Sequence, residues 1–337
     1  MANQVNKPGY VNSVLVDWGA SLFNQRAISA PSAKKSMTGV FLRPRRRAEV
    51  GAVGRVGVTA DAKVIRGKLG SIVRRTPQVV VKISGGGKGI KHIKAHLDYI
   101  SRNGKLELED QSGETIKGRK ELNDLRGEWQ DGGFPIADES DMREAFNVIL
   151  SMPEGTDPIA VKRAARDFAA AEFAKHQYVM VLHTFDTDPE PEPSPNPHVH
   201  LCVKARSMDG VRLHPRKADL QRWREGFAHA LGEHGIEAAA TNRLQRLERL
   251  RGERLSVRRM KERGQAPSKI PQSKAAPERV AKAKQAEATV LRRYRDIVRA
   301  LASSGDAEDR KLAMAISERI GEKLRDVGRH KSSDIER

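Results

Sequence analysis

The sequence has a single cysteine, Cys202, in 337 residues. Without a second thiol there can be no internal disulfide framework. That excludes the small stapled secreted scaffolds and fits a reducing compartment. No apolar run approaches the roughly 18 residues that cross a bilayer, so membrane insertion is not expected. The first 25 residues lack the basic-then-apolar layout of a secretory leader, and the expected location is cytoplasmic. The phosphate-cradling signatures GxxxxGK[ST] and GxGxxG do not occur either, so no nucleotide cofactor is expected. There is no repeat of the solenoid kind.

What the sequence has in excess is positive charge, and its placement says more than its sum of +19. Residues 1–75 carry 14 Lys/Arg against 3 Asp/Glu, and residues 238–337 carry 26 against 14. The stretch between them carries 22 against 26. Basic arms attract any polyanion, with an affinity that falls with salt and reads no sequence. A solvated tail or an RNA-associated protein gives the same signal. Charge alone names no chemistry.

The order of patterns suggests an α+β core over 76–240 between two extensions. Residues 1–75, rich in Gly, Ser, Ala and Arg and holding a basic knot at Arg43, Arg45, Arg46 and Arg47, read as a largely flexible arm. The β-branched run 79–83 reads as a buried strand, broken by Gly85, Gly86 and Gly87 before a helix over 88–102. Further strands are expected at 145–152, 178–184 and 198–205. Helices are expected over 157–175 and from Pro215 to about Gly235. The acidic, proline-rich stretch 188–197 is a loop. Residues 241–337 form a basic, mostly helical extension. It is irregular up to Ala276, then one long helix faced by Val290, Tyr294, Ile297, Val298 and Leu301.

Two features carry chemistry. In a strand, residues i and i+2 share a face, so His198 and His200 project together while Val199, Leu201 and Val203 face the core. His183, ending the preceding strand, can join them if the two strands pair. Three imidazoles suit a divalent metal, zinc included, although two histidines on a wet strand face are also common. The second feature is Tyr99. At about 100° per residue, Ile90, Ile93, Leu97 and Ile100 fall within an arc of about 80° that must face the core. Tyr99 lies roughly opposite, in a sector shared with Lys88, His92, Ala95 and Arg102. A structural tyrosine would join the apolar stripe. An outward one decorates the surface, stacks on a base or acts as a nucleophile. A phenol, with a pKa of about 10, needs a metal or cations nearby to react at neutral pH.

The residues His96-Leu97-Asp98-Tyr99-Ile100-Ser101-Arg102-Asn103-Gly104-Lys105-Leu106-Glu107-Leu108 resemble the nucleophile motif of MOBP-type conjugative relaxases. These are mobilisation nucleases of the HUH endonuclease class, and they include the border endonuclease of T-DNA transfer. Val148 to Asp157, with Ser151 inside it, resembles their second motif. His183 and Asp186, followed by Pro197-His198-Val199-His200, resemble the third. Leu213-His214-Pro215-Arg216-Lys217 also looks familiar from mobilisation proteins. The resemblance covers about residues 78–250. It implies a central antiparallel sheet with helices packed on it, Tyr99 as nucleophile, and His183, His198 and His200 as ligands of Mg²⁺ or Mn²⁺. It also implies Ser151 as a phosphate contact and Asp186 as the carboxylate that orients a ligand histidine. Lys88, Arg102 and Lys105, near Tyr99 in sequence, are candidate DNA contacts.

The implied activity is nicking of single-stranded DNA at a transfer origin through a 5′-phosphotyrosyl link. Relaxosome accessory proteins and a coupling protein are the implied partners. Two departures stand out: a long loop between His183 and His198, and Lys204 where many members have asparagine. Rolling-circle replication initiators share the histidine pair, but their tyrosine usually follows it. Here Tyr99 precedes it, which favours transfer. A non-catalytic nucleic-acid-binding protein on the same fold is the other alternative.

Overall fold

The computed structural model describes residues 8–23, 62–248, 260, 263–265 and 277–333. The arginine knot at 43–47 lies outside the described residues, as does most of the irregular stretch expected before Ala276. In chain order, α1 (Pro8–Val14), a π-helical turn (Leu15–Gly19), α2 (Ala20–Phe23) and α3 (Ala62–Val73) precede strand β1 (Val80–Gly85). Then come α4 (Ile90–Ser101), β2 (Leu108–Asp110), β3 (Thr115–Ile116), α5 (Arg119–Asp131) and β4 (Ala145–Ser151). After these follow α6 (Pro158–Glu172), β5 (Tyr178–His183), β6 (His198–Lys204), α7 (Lys217–Glu233), α8 (Pro277–Ala302) and α9 (Ala307–Ser333). The chain forms two compact units, Thr76–Ala240 and the pair of flanks Met1–Arg75 with Thr241–Arg337.

The central unit is α+β. Its six strands form one sheet in the order β1-β4-β6-β5-β2-β3, with every neighbouring pair antiparallel. On one face Val81, Val148, Leu150, Met180, Val199, Leu201 and Val203 pack with Val161, Phe168, Trp223 and Phe227 of α6 and α7. On the other, Val179, Val181 and Cys202 pack under Ile90, Ile93, Leu97 and Ile100 of α4 and Leu122, Leu125 and Trp129 of α5. Both faces of β5 and β6 are therefore covered, which is why these strands read as nearly continuous apolar runs. The histidine-bearing face of β6 is not a wet one. Asp157 caps α6 by accepting from the Ile159 amide at 3.0 Å, with Pro158 behind it in the first turn.

The apolar stripe of α4 anchors the helix that carries Tyr99. Each of its four fully buried side chains contributes about 1.5–3 kcal/mol. Gly89 opens the helix at φ 90, where a Cβ would stand 2.4 Å from the Asp138 carbonyl oxygen. The first helical amide, Ile90, donates to Ala137 at 2.9 Å.

The flanks build a helical unit with its own core. Val11, Leu15, Leu22, Ile65 and Leu69 pack with Val290, Tyr294, Ile297, Leu301, Ala313 and Ile316. The described parts of the N-terminal arm are thus helical where composition suggests flexibility. In α3 the residues Ala62, Ile65, Leu69 and Ile72 recur at helical spacing, and the Gly- and Arg-rich surroundings obscure that pattern. The single long terminal helix is two helices, broken at Ser303–Asp306, where the Asp306 amide donates to the Ser304 hydroxyl.

Candidate active site

The ladder between β5 and β6 sets the site. His183 pairs directly with His198, and Val181 with His200, so His183, His198 and His200 all project to the α4 side of the sheet. Their ring centroids lie 4.7 to 5.2 Å apart, and one nitrogen from each falls within 4.8 Å of the others. Burial pushes the His200 imidazole down to about 2, helped by the neighbouring His183 and His198. Burial likewise lowers His183 and His198. All three rings are neutral near pH 7, the form that ligates metals.

The donor set fits a divalent ion. His200 Nδ1 is buried with no hydrogen-bond partner, and such orphaned atoms are rare unless a function uses them. His198 Nδ1 sits 2.9 Å from the Asn196 carbonyl, which can only accept, so its proton is on Nδ1 and its lone pair on Nε2. His183, fully buried, meets the Asp188 carboxylate at 2.9 Å through Nδ1 and the Ile100 carbonyl at 2.7 Å through Nε2. Both oxygens accept, and a neutral imidazole has one N–H, so the ring cannot satisfy both.

Tyr99 stands 54% exposed on α4. Its ring centroid is 6.3 Å from that of His200, at 88°, and 6.4 Å from that of His96, nearly parallel. Burial pushes His96 down to about 4, and its Nε2 also lacks a partner. Asp98 forms an ion pair with Arg126, which ties α4 to α5.

The structure corrects two expectations. Asp186 is exposed on the loop after β5, and the carboxylate on His183 belongs to Asp188. The chain makes a tight turn, with the Asp188 amide donating to the Thr184 carbonyl and the Thr187 amide to the Thr184 hydroxyl. That turn carries Asp188 back beneath the histidine and leaves Asp186 outside. Arg102, a candidate DNA contact by its place in the sequence, has its guanidinium committed to the protein. Its guanidinium grips Asp188 with two bonds of 2.8 Å and meets Glu190 at 2.8 Å. It lies 4.7 Å over the Tyr99 ring and 3.3 Å from His183 Nδ1. Arg102 caps α4 at φ 52, a left-handed conformation that costs a β-carbon residue about 1 kcal/mol. The turn folds the side chain back over the helix it has just left. The paired charges hold the Asp188 carboxyl well below the usual carboxylate range and raise Arg102.

Ser151 lies directly across from His198 in the β4–β6 ladder, on the same face. Lys88 and Lys105 are exposed at the two ends of α4. Sequence reasoning passed over His96, Asp188, Lys82 and Phe185. Lys82 pairs with Ile149, which pairs with His200, so this exposed lysine shares the histidine face. Phe185 is 59% exposed on the turn after His183, and the run Thr184-Phe185-Asp186-Thr187-Asp188 was the available signal.

Residues 106–236 match the family model described as relaxase, MobA/VirD2-like, nuclease domain. The matched range holds Asp188 and the three histidines and begins seven residues after Tyr99. Among curated proteins, the T-DNA border endonuclease VirD2 of Rhizobium radiobacter is 29% identical over 190 residues, 50% of this chain and 43% of the relative. The VirD2 of Rhizobium rhizogenes is 27% identical, over 50% of this chain and 42% of its own. The matches thus span less than half of either relative. A solved structure described as "Molecular Basis of Vancomycin Resistance Transfer in Staphylococcus aureus" aligns at a TM-score of 0.31 and 14% identity, over 50% of this chain and 99% of that one. At that score the likeness carries no argument.

Proposed function

We infer that residues 106–236, which match the MobA/VirD2-like relaxase nuclease model, form a domain of that kind. From that premise we propose that it nicks one DNA strand at a transfer origin by transesterification through Tyr99. The observation that carries the reading is the approach of an exposed phenol to a cluster of three neutral imidazoles, two of them buried, with the Tyr99 and His200 rings 6.3 Å apart.

The Tyr99 oxygen attacks the scissile phosphorus and forms a new O–P bond. The bond from phosphorus to the departing 3′ oxygen breaks. The phenol proton is lost and the 3′ oxygen gains one, which leaves a 5′-phosphotyrosyl link and a free 3′-OH. One phosphodiester replaces another, so the reverse step can rejoin the strand. A divalent ion held by His183, His198 and His200, Mg²⁺ or Mn²⁺, would supply charge neutralisation on the non-bridging oxygens when bound.

The chain's own groups do the rest. Asp188 orients His183, and Arg102 ties that carboxylate to the face of the Tyr99 ring. Ser151 and Lys82 share the histidine face and, with Lys88 and Lys105, contact phosphates along the strand. Phe185 offers an exposed ring for an unpaired base. No helix among the described residues is long and apolar enough to cross a membrane. The proposed setting is the cytoplasm, with relaxosome accessory proteins and a coupling protein as partners.

The test is a covalent-adduct assay. Labelled single-stranded oligonucleotides tiling the DNA around the gene are incubated with the protein and Mg²⁺ or Mn²⁺, then run on denaturing gels. An adduct on one tile is expected, requiring metal and absent in Tyr99→Phe, while that variant still binds the oligonucleotide. Tight binding with no adduct on any tile would replace this reading with the non-catalytic one.

A further inference from the structure

The helical unit has a surface that the proposed nicking reaction leaves unused. On α8, at about 100° per residue, Lys284, Arg295, Arg299 and Arg292 fall within an arc of about 80°. All four are exposed, and among the described residues none of them forms a salt bridge. The rest of that arc is Pro277, Ala281, Ala288 and Ala302, with no acid and no aromatic. The helix's carboxylates lie off the stripe, Glu278 and Asp296 about 40° beyond one edge and Glu287 about 60° beyond the other, where it meets Lys323 at 3.5 Å. The opposite side buries Val290, Tyr294, Ile297 and Leu301. The cations therefore stand on a helix fixed by its own core, in a line of about 22 Å at 1.5 Å per residue.

We propose that this face of α8 docks on the backbone of double-stranded DNA, a second DNA contact on residues outside the candidate active site. The choice of DNA over other polyanions rests on the function proposed above. The choice of duplex rests on the stripe itself. Proteins that hold single strands combine cations with aromatic platforms for unstacked bases, and this stripe has cations alone. Spaced cations without base-reading side chains grip phosphates irrespective of sequence.

The test uses the full chain with Tyr99→Phe as background, so that binding is read without chemistry. Affinity for a duplex of random sequence and for a single strand of equal length is measured at several salt concentrations. This is done before and after the combined change Lys284→Gln, Arg292→Gln, Arg295→Gln and Arg299→Gln. Duplex affinity is expected to fall at least ~30-fold near 0.1 M salt, and the log–log salt slope by about 3. Single-strand affinity should change less than about threefold. A second variant, with Arg292, Arg295 and Arg299 all changed to Lys, should keep duplex binding, since charge and not shape is read. Circular dichroism and melting temperature should match the parent. Unchanged duplex affinity and slope, or an equal loss on both DNAs, overturns the proposal. With Tyr99 intact, a protein that loses duplex affinity but never forms an adduct separates failure of the nicking reading from failure of this one.

Discussion

The two units bury polar groups in opposite ways. Among the described residues of the helical unit, no buried side-chain nitrogen or oxygen lacks a partner. Arg66 holds Asp309 with bonds of 2.7 and 3.0 Å, Ser304 donates to the same carboxylate at 2.8 Å, and the Tyr294 hydroxyl donates to the Gln245 carbonyl at 2.5 Å. In the central unit three buried nitrogens among the described residues have no partner, on His96, Arg126 and His200, and two of the three belong to the cluster around Tyr99. Unmet hydrogen-bonding capacity costs free energy in a folded protein, so natural sequences confine it to places where something else will use it. One unit is built for persistence. The other holds open valences.

That contrast can be broken at several points. The largest expected effect is His200→Ala. Adduct formation should fall by about 10³-fold and Mn²⁺ affinity with it, while the melting temperature moves little, because the ring leaves no hydrogen bond behind. Next is Asp309→Ala in the helical unit, which should cost about 2–3 kcal/mol in chemical denaturation by leaving Arg66 without its carboxylate. Adduct formation at saturating DNA should be unaffected. The same carboxyl gives a pH signature. Arg66 holds it below its ordinary value of 3.8, so its contribution is present above that value and lost as pH falls through the lowered one. Acid titration of the unfolding free energy should show that loss, and Asp309→Asn should remove it.

Asp188→Asn tests the boundary between the two behaviours. It weakens a buried ion pair and also the orientation of a ligand histidine. A loss of about 10–100-fold in metal affinity is expected, together with a drop in stability. A drop in stability alone would make Asp188 merely structural. The smallest effect is Tyr294→Phe, which removes one buried hydroxyl and should cost about 1 kcal/mol with no change in DNA chemistry.

The strands and helices that frame the site were legible because their apolar patterns are long. The arc of Ile90, Ile93, Leu97 and Ile100 located Tyr99 on the outer side of its helix. The His-x-His spacing located two rings on one face. The strands β2 and β3 were not legible, since three and two residues are too short for any period to register. Helix α5 lay hidden because only Leu122, Leu125 and Trp129 interrupt a polar sequence. The Asp186 and Arg102 errors share a cause. Which of two nearby carboxylates turns inward, and whether an arginine reaches outward or folds back, depends on loop dihedrals that composition does not encode. The helices of the N-terminal arm bury their faces against segments more than 200 positions away, where local pattern is silent.

The pairing of His183 with His198 has a consequence for how the site can change. The 14 residues between them are a loop joining neighbouring antiparallel strands, and nothing in the ladder depends on how many there are. Residues can be added or removed between Glu190 and Asn196 while the rings stay where they are. A single residue gained inside β5 or β6 behaves differently, because it turns every following side chain to the opposite face. Leu182, Val199 and Leu201 would then look toward Tyr99, and the imidazoles into the apolar core. The site is tolerant in length at its rim and all-or-none in its strands.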